Sequence, residues 1–193
     1  MKQFKKPLIF LVLLIVMNNL KAQDNYTLSS YLATINGTST LHNWDQTVER
    51  IAGKGIVKQN ADKSLSLQSL KMVVQVNSIK SSESMESKTY KALKADKFPQ
   101  ITFVLTEPLV NLPYRANAYG VRAKGQLTIA GVTKEIVMPL KITLNQQNKI
   151  TVDGAQQIKM TDYGIDPPTM VFGTIKVGAL ITFNFKTTFS LSN

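Results

Sequence analysis

The stretch ALITFNFKTTFSL, residues 179–191, puts Ala179, Ile181, Phe183, Phe185, Phe189 and Leu191 on one parity and Thr182, Asn184, Lys186, Thr188 and Ser190 on the other. A period of two is what a strand with one covered face requires, because successive side chains leave the backbone on opposite sides. A run of about 13 residues at roughly 3.4 Å each extends about 40 Å, longer than a usual strand. The fold it belongs to must therefore be an elongated sheet.

The same alternation recurs on both sides of a central break. LKMVVQV (70–76) aligns Leu70, Met72, Val74 and Val76; VRAKGQLTI (121–129) aligns Val121, Ala123, Leu127 and Ile129; EIVMPLKITL (135–144) aligns Ile136, Met138, Leu140, Ile142 and Leu144. Shorter versions occupy 26–35, 101–105 and 149–154, and VERIAGKGIV (48–57) reads as a strand broken by glycine, giving eight strands in all. Turn residues separate them at 60–62, 130–134, 145–149 and in the irregular stretch from Asp162 to Gly173. One segment departs from period two. Between the third and fourth strands, residues 82–98 space Met85, Lys88, Ala92 and Leu93 near 3.6 and predict one short helix ended by Pro99.

Eight sequential strands joined by turns close most simply into an antiparallel barrel, which leaves no unpaired edge. The predicted class is all-β: an elongated, eight-stranded antiparallel barrel with one short helix between strands 3 and 4. A long, narrow interior suits a long, thin, apolar molecule. The expected tunnel lining is Met72, Val121, Leu127, Ile129, Ile136, Met138, Leu140, Ile181, Phe183 and Phe185.

Residues 1–22 have the layout of a secretory signal: Lys2, Lys5 and Lys6, the ten apolar residues LIFLVLLIVM (8–17), then a polar stretch ending at Ala22. Export to the periplasm or the outside is expected, leaving one domain at 23–193. Ten apolar residues are too few to cross a bilayer. The chain has no cysteine, so disulfides are excluded and a lipid-modified cysteine is not expected. Without Lys2, Lys5, Lys6 and Lys21, 19 of the 23 basic residues remain against 12 acidic ones, a formal charge of +7.

The single histidine, His42, and the single tryptophan, Trp44, lie two apart in GTSTLHNWDQT (37–47). With only Asp45 as a nearby acid, His42 falls short of the three or four ligands that zinc needs, and Ser39 beside it does not make a defensible triad. Both residues are read as fixtures of the barrel end, with a candidate role at its rim; an indole there can bury its ring and bond its N–H outward. Lys88, Lys91, Lys94 and Lys97, with Lys80 and Lys71, form the densest basic stretch. They are either a solvated face or the contact for an anionic target at the mouth, a lipid diphosphate or an acidic membrane surface; Lys88, Lys91 and Lys94 are the head-group candidates. Asp162 and Asp166 read as turn residues, and Gly125, Gly131 and Gly154 as bulge or turn positions. Export and the scarcity of aromatics among the arginines argue against nucleic acid.

GTSTLHNW, MESKTYKALKADKFPQITF, GQLTIAGVTKEIVMPL and MTDYGIDPP follow one another in an order and spacing that resemble the YceI-like domain family, from about Tyr26 to Leu191. The most specific pieces are Leu93–Phe103 and Gly125–Lys134. The resemblance implies an exported, lipocalin-like barrel whose apolar tunnel holds an isoprenoid lipid or isoprenoid quinone as ligand rather than cofactor. It brings no catalytic residue. A non-enzymatic lipid-binding protein is the reading that follows. The alternatives are an enzyme acting on a barrel-bound substrate, for which no constellation of residues is present, and a small outer-membrane barrel, against which stand the interrupting helix and the lack of paired aromatic girdles.

Overall fold

The structure is a computed structural model that describes residues 23–62, 64–113, 119–144, 149–170 and 172–192. The predicted signal, residues 1–22, lies outside the described residues, as does most of the turn expected at 145–149.

Eight strands form the wall: β1 (Gln23–Ser39), β3 (Ile51–Gln59), β4 (Leu65–Gln75), β6 (Gln100–Leu105), β8 (Tyr119–Ile129), β9 (Val132–Leu144), β10 (Ile150–Lys159) and β12 (Ile175–Leu191). Each pairs antiparallel with the next, and β12 returns to pair with β1, so the sheet closes as an eight-stranded barrel. Four short segments are added to it: β2 (Asn43–Val48), β5 (Ile79–Lys80), β7 (Leu109–Leu112) and β11 (Thr169–Met170). The second wall strand is longer than the 48–57 expected and is split. β2 pairs with the C-terminal half of β1 and β3 with its N-terminal end. At the break, the Glu49 N–H donates to the Ser78 carbonyl at 2.9 Å and the Gln75 N–H to the Arg50 carbonyl at 3.2 Å, tying it to the 3-10 turn Val76–Ser78.

The helix α1 (Glu83–Ala92) sits between the third and fourth wall strands, as expected, but Pro99 is not what ends it. The Ala95 N–H reaches back to the Tyr90 carbonyl at 2.9 Å and the Lys94 N–H to the Lys91 carbonyl at 3.1 Å, while Lys94 takes a left-handed φ of 53°. This is a Schellman stop, and it closes the helix before the proline is reached.

Parity predicts the inner face well. On β12, Ile181, Phe183, Phe185 and Phe189 point inward, and Phe189 is buried. Thr187 shares that face and is also buried; its hydroxyl donates to the Val152 carbonyl at 3.1 Å, which satisfies it without water. Leu191 leaves the interior where β12 ends, and is 42% exposed.

Gly125 and Gly154 are neither bulges nor turns. Both lie in continuous register, Gly125 opposite Leu105 and Ile136, and Gly154 opposite Phe185 and Leu140. A Cβ on Gly125 would come within 2.4 Å of the Phe103 ring, and one on Gly154 equally close to the Phe185 ring. The missing side chains are the space that the inward aromatics occupy. Gly131 does form a turn: with Ala130 (φ 49°) and Gly131 (φ 82°), it makes the two-residue link of the β8–β9 hairpin, whose positive φ at both positions matches the strand twist.

Candidate functional site

The register builds the interior in layers, because directly opposed residues in an antiparallel pair share a face. One layer runs Trp44, Gly37, Ile181, Ile158; the next Gln46, Ile35, Phe183, Gln156; the next includes Ala33, Phe185, Gly154 and Leu140. These layers enclose an elongated cavity of about 230 Å³. Leu70, Val152 and Phe189 form its floor, and beneath them lies a separate void of about 40 Å³.

Of the ten expected lining residues, Met72, Leu127, Ile129, Met138, Leu140, Ile181, Phe183 and Phe185 line the cavity. Val121 and Ile136 do not; they pack half-buried against the same core. The pairing of β6 with β8 ends at Leu105–Gly125, so Val121 lies beyond the wall that β6 provides. Ile136 stands opposite Gly125, where the Phe103 ring already fills the layer.

The mouth is bounded by the β1–β2 turn, by α1 and by the loop at 165–168. Ser39 organises the first: its hydroxyl donates to the His42 carbonyl at 2.8 Å and accepts the Leu41 and His42 N–H groups at 3.2 Å. His42 is exposed and lines the rim, with Nδ1 2.6 Å from the Asn43 carbonyl. The Trp44 ring lies over Gly37, where a Cβ would come within 2.2 Å of it, and Nε1 donates to the Thr38 carbonyl at 3.0 Å. Trp44 is thus half-buried at the barrel end, its N–H bonded to the backbone. Among the described residues, no three His, Cys, Asp or Glu side chains are grouped to hold a metal ion.

Met85, Lys88, Thr89 and Ala92 of α1, with its C-cap Leu93, face the cavity, so the helix forms one side of the mouth. Lys91 and Lys94 do not reach it. They border a groove on the outer side of the helix, with Glu83 and Asp96, and only Lys88 of the three head-group candidates stands at the mouth. Lys80 is also committed elsewhere. Its ammonium donates to Glu86 Oε2 at 2.8 Å and to the Tyr90 hydroxyl at 3.1 Å, while the Tyr90 hydroxyl lies 2.9 Å from the Ile79 carbonyl.

This cluster fastens the helix to the barrel. The Lys80 ammonium, and then the Ser81 N–H, hold the Glu86 carboxyl below its ordinary range; Glu86 and Tyr90 together push the Lys80 ammonium above its own. A depressed carboxyl contributes stability above its unfolded pKa and loses it as pH falls through the folded value. The helix should therefore loosen on acidification below the ordinary glutamate range, with Lys80 charged throughout. Hydrogen exchange of the α1 amides is expected to quicken there ahead of the wall strands, and Glu86→Gln should reproduce the change at neutral pH. Protection of α1 that stays level while Glu86 titrates would exclude this fastening.

Two inward glutamines have no counterpart in the sequence reading. Gln46 is buried, and its Nε2 donates to Thr89 Oγ1 at 2.9 Å, joining β2 to the helix. Gln156 Nε2 donates to the Gln157 carbonyl at 2.8 Å, but its shielded Oε1 has no hydrogen-bond partner among the described residues. The signal for Gln46 was present: it shares parity with Trp44 and Val48, a polar residue in an apolar frame. Gln156 has a similar frame in Val152 and Ile158.

Several solved structures share this architecture. A polyisoprenoid binding domain from Saccharophagus degradans, implicated in plant cell wall breakdown, superposes with a TM-score of 0.67 at 11% identity, over 86% of this chain and 98% of that one. BcnA of Burkholderia cenocepacia gives 0.58 at 18% identity, over 82% and 95%. The YCEI protein of Campylobacter jejuni gives 0.57 at 18%, over 77% and 84%. At these identities the likeness shows the fold alone. No curated protein matches the sequence. A family model, described as the YceI-like domain, matches residues 26–189. By that match, spanning nearly all of the closed barrel, the chain belongs to the YceI-like domain family.

Proposed function

We propose that the protein is an exported, non-enzymatic binder that holds an amphiphilic, isoprenoid-type lipid in its barrel for transport, storage or sequestration. The observation that carries this is the cavity itself: a closed wall of Met72, Leu127, Met138, Ile181, Phe183 and Phe185 whose polar groups lie near one mouth, apart from Thr187, which is satisfied by the Val152 carbonyl. Burying a CH₂ there is worth roughly 0.8 kcal/mol, so a branched apolar tail gains affinity with each unit that enters. The Gln46–Thr89 pair, Gln156 and Lys88 mark the upper layers, where the polar end of such a molecule would rest. The Saccharophagus degradans domain, named for polyisoprenoid binding, has the same fold and lends the ligand class its support. Export rests on the lysines before the apolar run at 8–17.

The outer wall weighs against an integral membrane barrel. Lys54, Lys71, Gln126, Lys141 and Lys186 are exposed in wall strands, where a membrane barrel carries an apolar band. An enzyme acting on a bound substrate has no observation in its favour, since His42 is held in a turn at the rim.

Mass spectrometry of lipid extracted from the protein after production in its native envelope tests the reading. A stoichiometric isoprenoid is expected; an empty barrel, or only straight-chain lipid, would overturn it. Lys88→Glu provides a second check. If Lys88 meets an anionic head group, capture of a prenyl diphosphate should fall roughly tenfold with a neutral isoprenoid alcohol bound as before. Equal binding of both by variant and parent would remove Lys88 from recognition.

A further inference from the structure

The stretch from Asp162 to Gly173 is irregular by its sequence, yet a hairpin forms at its end: Thr169 and Met170 pair with Lys176 and Ile175, and Phe172, Gly173 and Thr174 lie in the turn between them. Phe172 is fully exposed, at 109%, and its φ is 51°, followed by Gly173 at 88°. Left-handed turn positions favour glycine or asparagine, and a bulky side chain there is strained. The fold gains no burial from this phenylalanine. Leu41, 66% exposed, occupies the tip of the neighbouring β1–β2 turn. The two tips form one rim, because the Thr40 N–H donates to the Lys176 carbonyl at 3.0 Å, the Lys176 N–H donates to Thr40 Oγ1 at 3.1 Å, and Thr40 Oγ1 donates to the Thr174 carbonyl at 3.3 Å.

That rim is the mouth of the cavity. Ser39 and His42 from the first turn, and Pro168 and Val177 flanking the hairpin, line the opening. We propose that the mouth docks on a bilayer surface, with Phe172 and Leu41 inserted among the lipid head groups, so that cargo passes between membrane and cavity without crossing water. An aromatic and an aliphatic side chain held at a protruding edge suit the interface between head groups and acyl chains. Two separate tips offer far less area than the roughly 1,200 Å² of a stable protein interface, which favours a bilayer as the occupant. Lys88 at the mouth and Lys176 at the hairpin base favour anionic lipid, although Asp162 and Asp166 are exposed on the adjoining loop. Apolar insertion therefore carries the contact, and charge assists it. The proposal takes its purpose from the lipid-binding reading above.

The absence of cysteine makes the test direct. Full-length Phe172→Cys and Leu41→Cys are labelled with a polarity-sensitive fluorophore and mixed with vesicles of phosphatidylcholine and phosphatidylglycerol. Leu32→Cys is the control, since Leu32 is 69% exposed but lies on the outer wall opposite Lys186. A blue shift at the two rim positions and none at Leu32 is expected. In parallel, Phe172→Ser with Leu41→Ser should slow transfer of a fluorescent isoprenoid alcohol between vesicles and protein about tenfold, with the melting temperature retained. Rim labels that stay in water while lipid is recovered from the barrel would overturn docking and leave lipid binding intact. Equal shifts at all three positions would also overturn it, by assigning membrane contact to the chain at large. Rim shifts with an empty barrel would support docking and remove the lipid-binding reading instead.

Discussion

Leu127→Asp is expected to destabilise the barrel by about 4 kcal/mol or more and to abolish lipid retention. Leu127 is 6% exposed, pairs with Phe103 across β6 and lines the cavity. The substitution removes an apolar contact and puts a carboxylate among apolar lining residues; Lys134, opposite on β9, is exposed, and Lys88 stands at the mouth. Burial raises the pKa of such a carboxyl, so its neutral form is the one the fold accommodates. Relative to the parent, the deficit should accordingly be smallest below the unfolded aspartate value and grow as pH rises through the elevated folded one. The adjacent Gln126→Asp provides the contrast. Gln126 is exposed, one residue away, and points outward. Its cost should stay under about 1 kcal/mol, the part above zero coming from Glu135 directly opposite. Denaturant melts of both variants at several pH values check this. Equal penalties for the two neighbours would mean that parity does not separate an inside from an outside on β8.

That separation was legible before any coordinates, because strand parity is enforced by the backbone and one covered face imposes its own composition. Phe183, Phe185, Met138 and Leu140 all fall where alternation sends them. What parity cannot give is depth along the barrel or the neighbour across it. Val121 and Ile136 have the right parity, yet one lies past the end of β6 and the other behind the Phe103 ring; both facts depend on register between strands distant in sequence. Gly125 and Gly154 resist local reading for the same reason, since the rings they admit come from other strands. The lysines make a different case. The period that groups Met85, Lys88, Ala92 and Leu93 also leaves Lys91 and Lys94 off that face, so helical phase was the better guide and charge density along the chain the weaker one. The hairpin at 169–176 was hidden because only two residue pairs define it, and its apolar turn carries little of the usual turn chemistry beyond Gly173.

Phe189→Ala is expected to lengthen the cavity at a cost of about 3 to 5 kcal/mol in stability. Phe189 is 5% exposed, and its ring lies close enough to β3 that a Cβ on Gly53 would come within 3.0 Å of Cε1. Phe189, Leu70 and Val152 border both the 230 Å³ cavity and the 40 Å³ void beneath it, so together they are the partition between the two. Leu70 and Val152 are smaller and come from opposite walls, which leaves the ring to close the gap. Removing it should merge the spaces into one tunnel that reaches the layer of Leu144 and Ile150. A longer apolar tail could then be buried completely where the parent leaves its end near the mouth. Competition between two isoprenoid alcohols that differ only in chain length reads this out: the variant should shift preference toward the longer chain, while thermal melting reports the lost packing. A destabilised variant with the parent's chain-length preference would show that Leu70 and Val152 close the floor without the ring; an unchanged melting temperature would show that the ring is not packed between the two spaces at all.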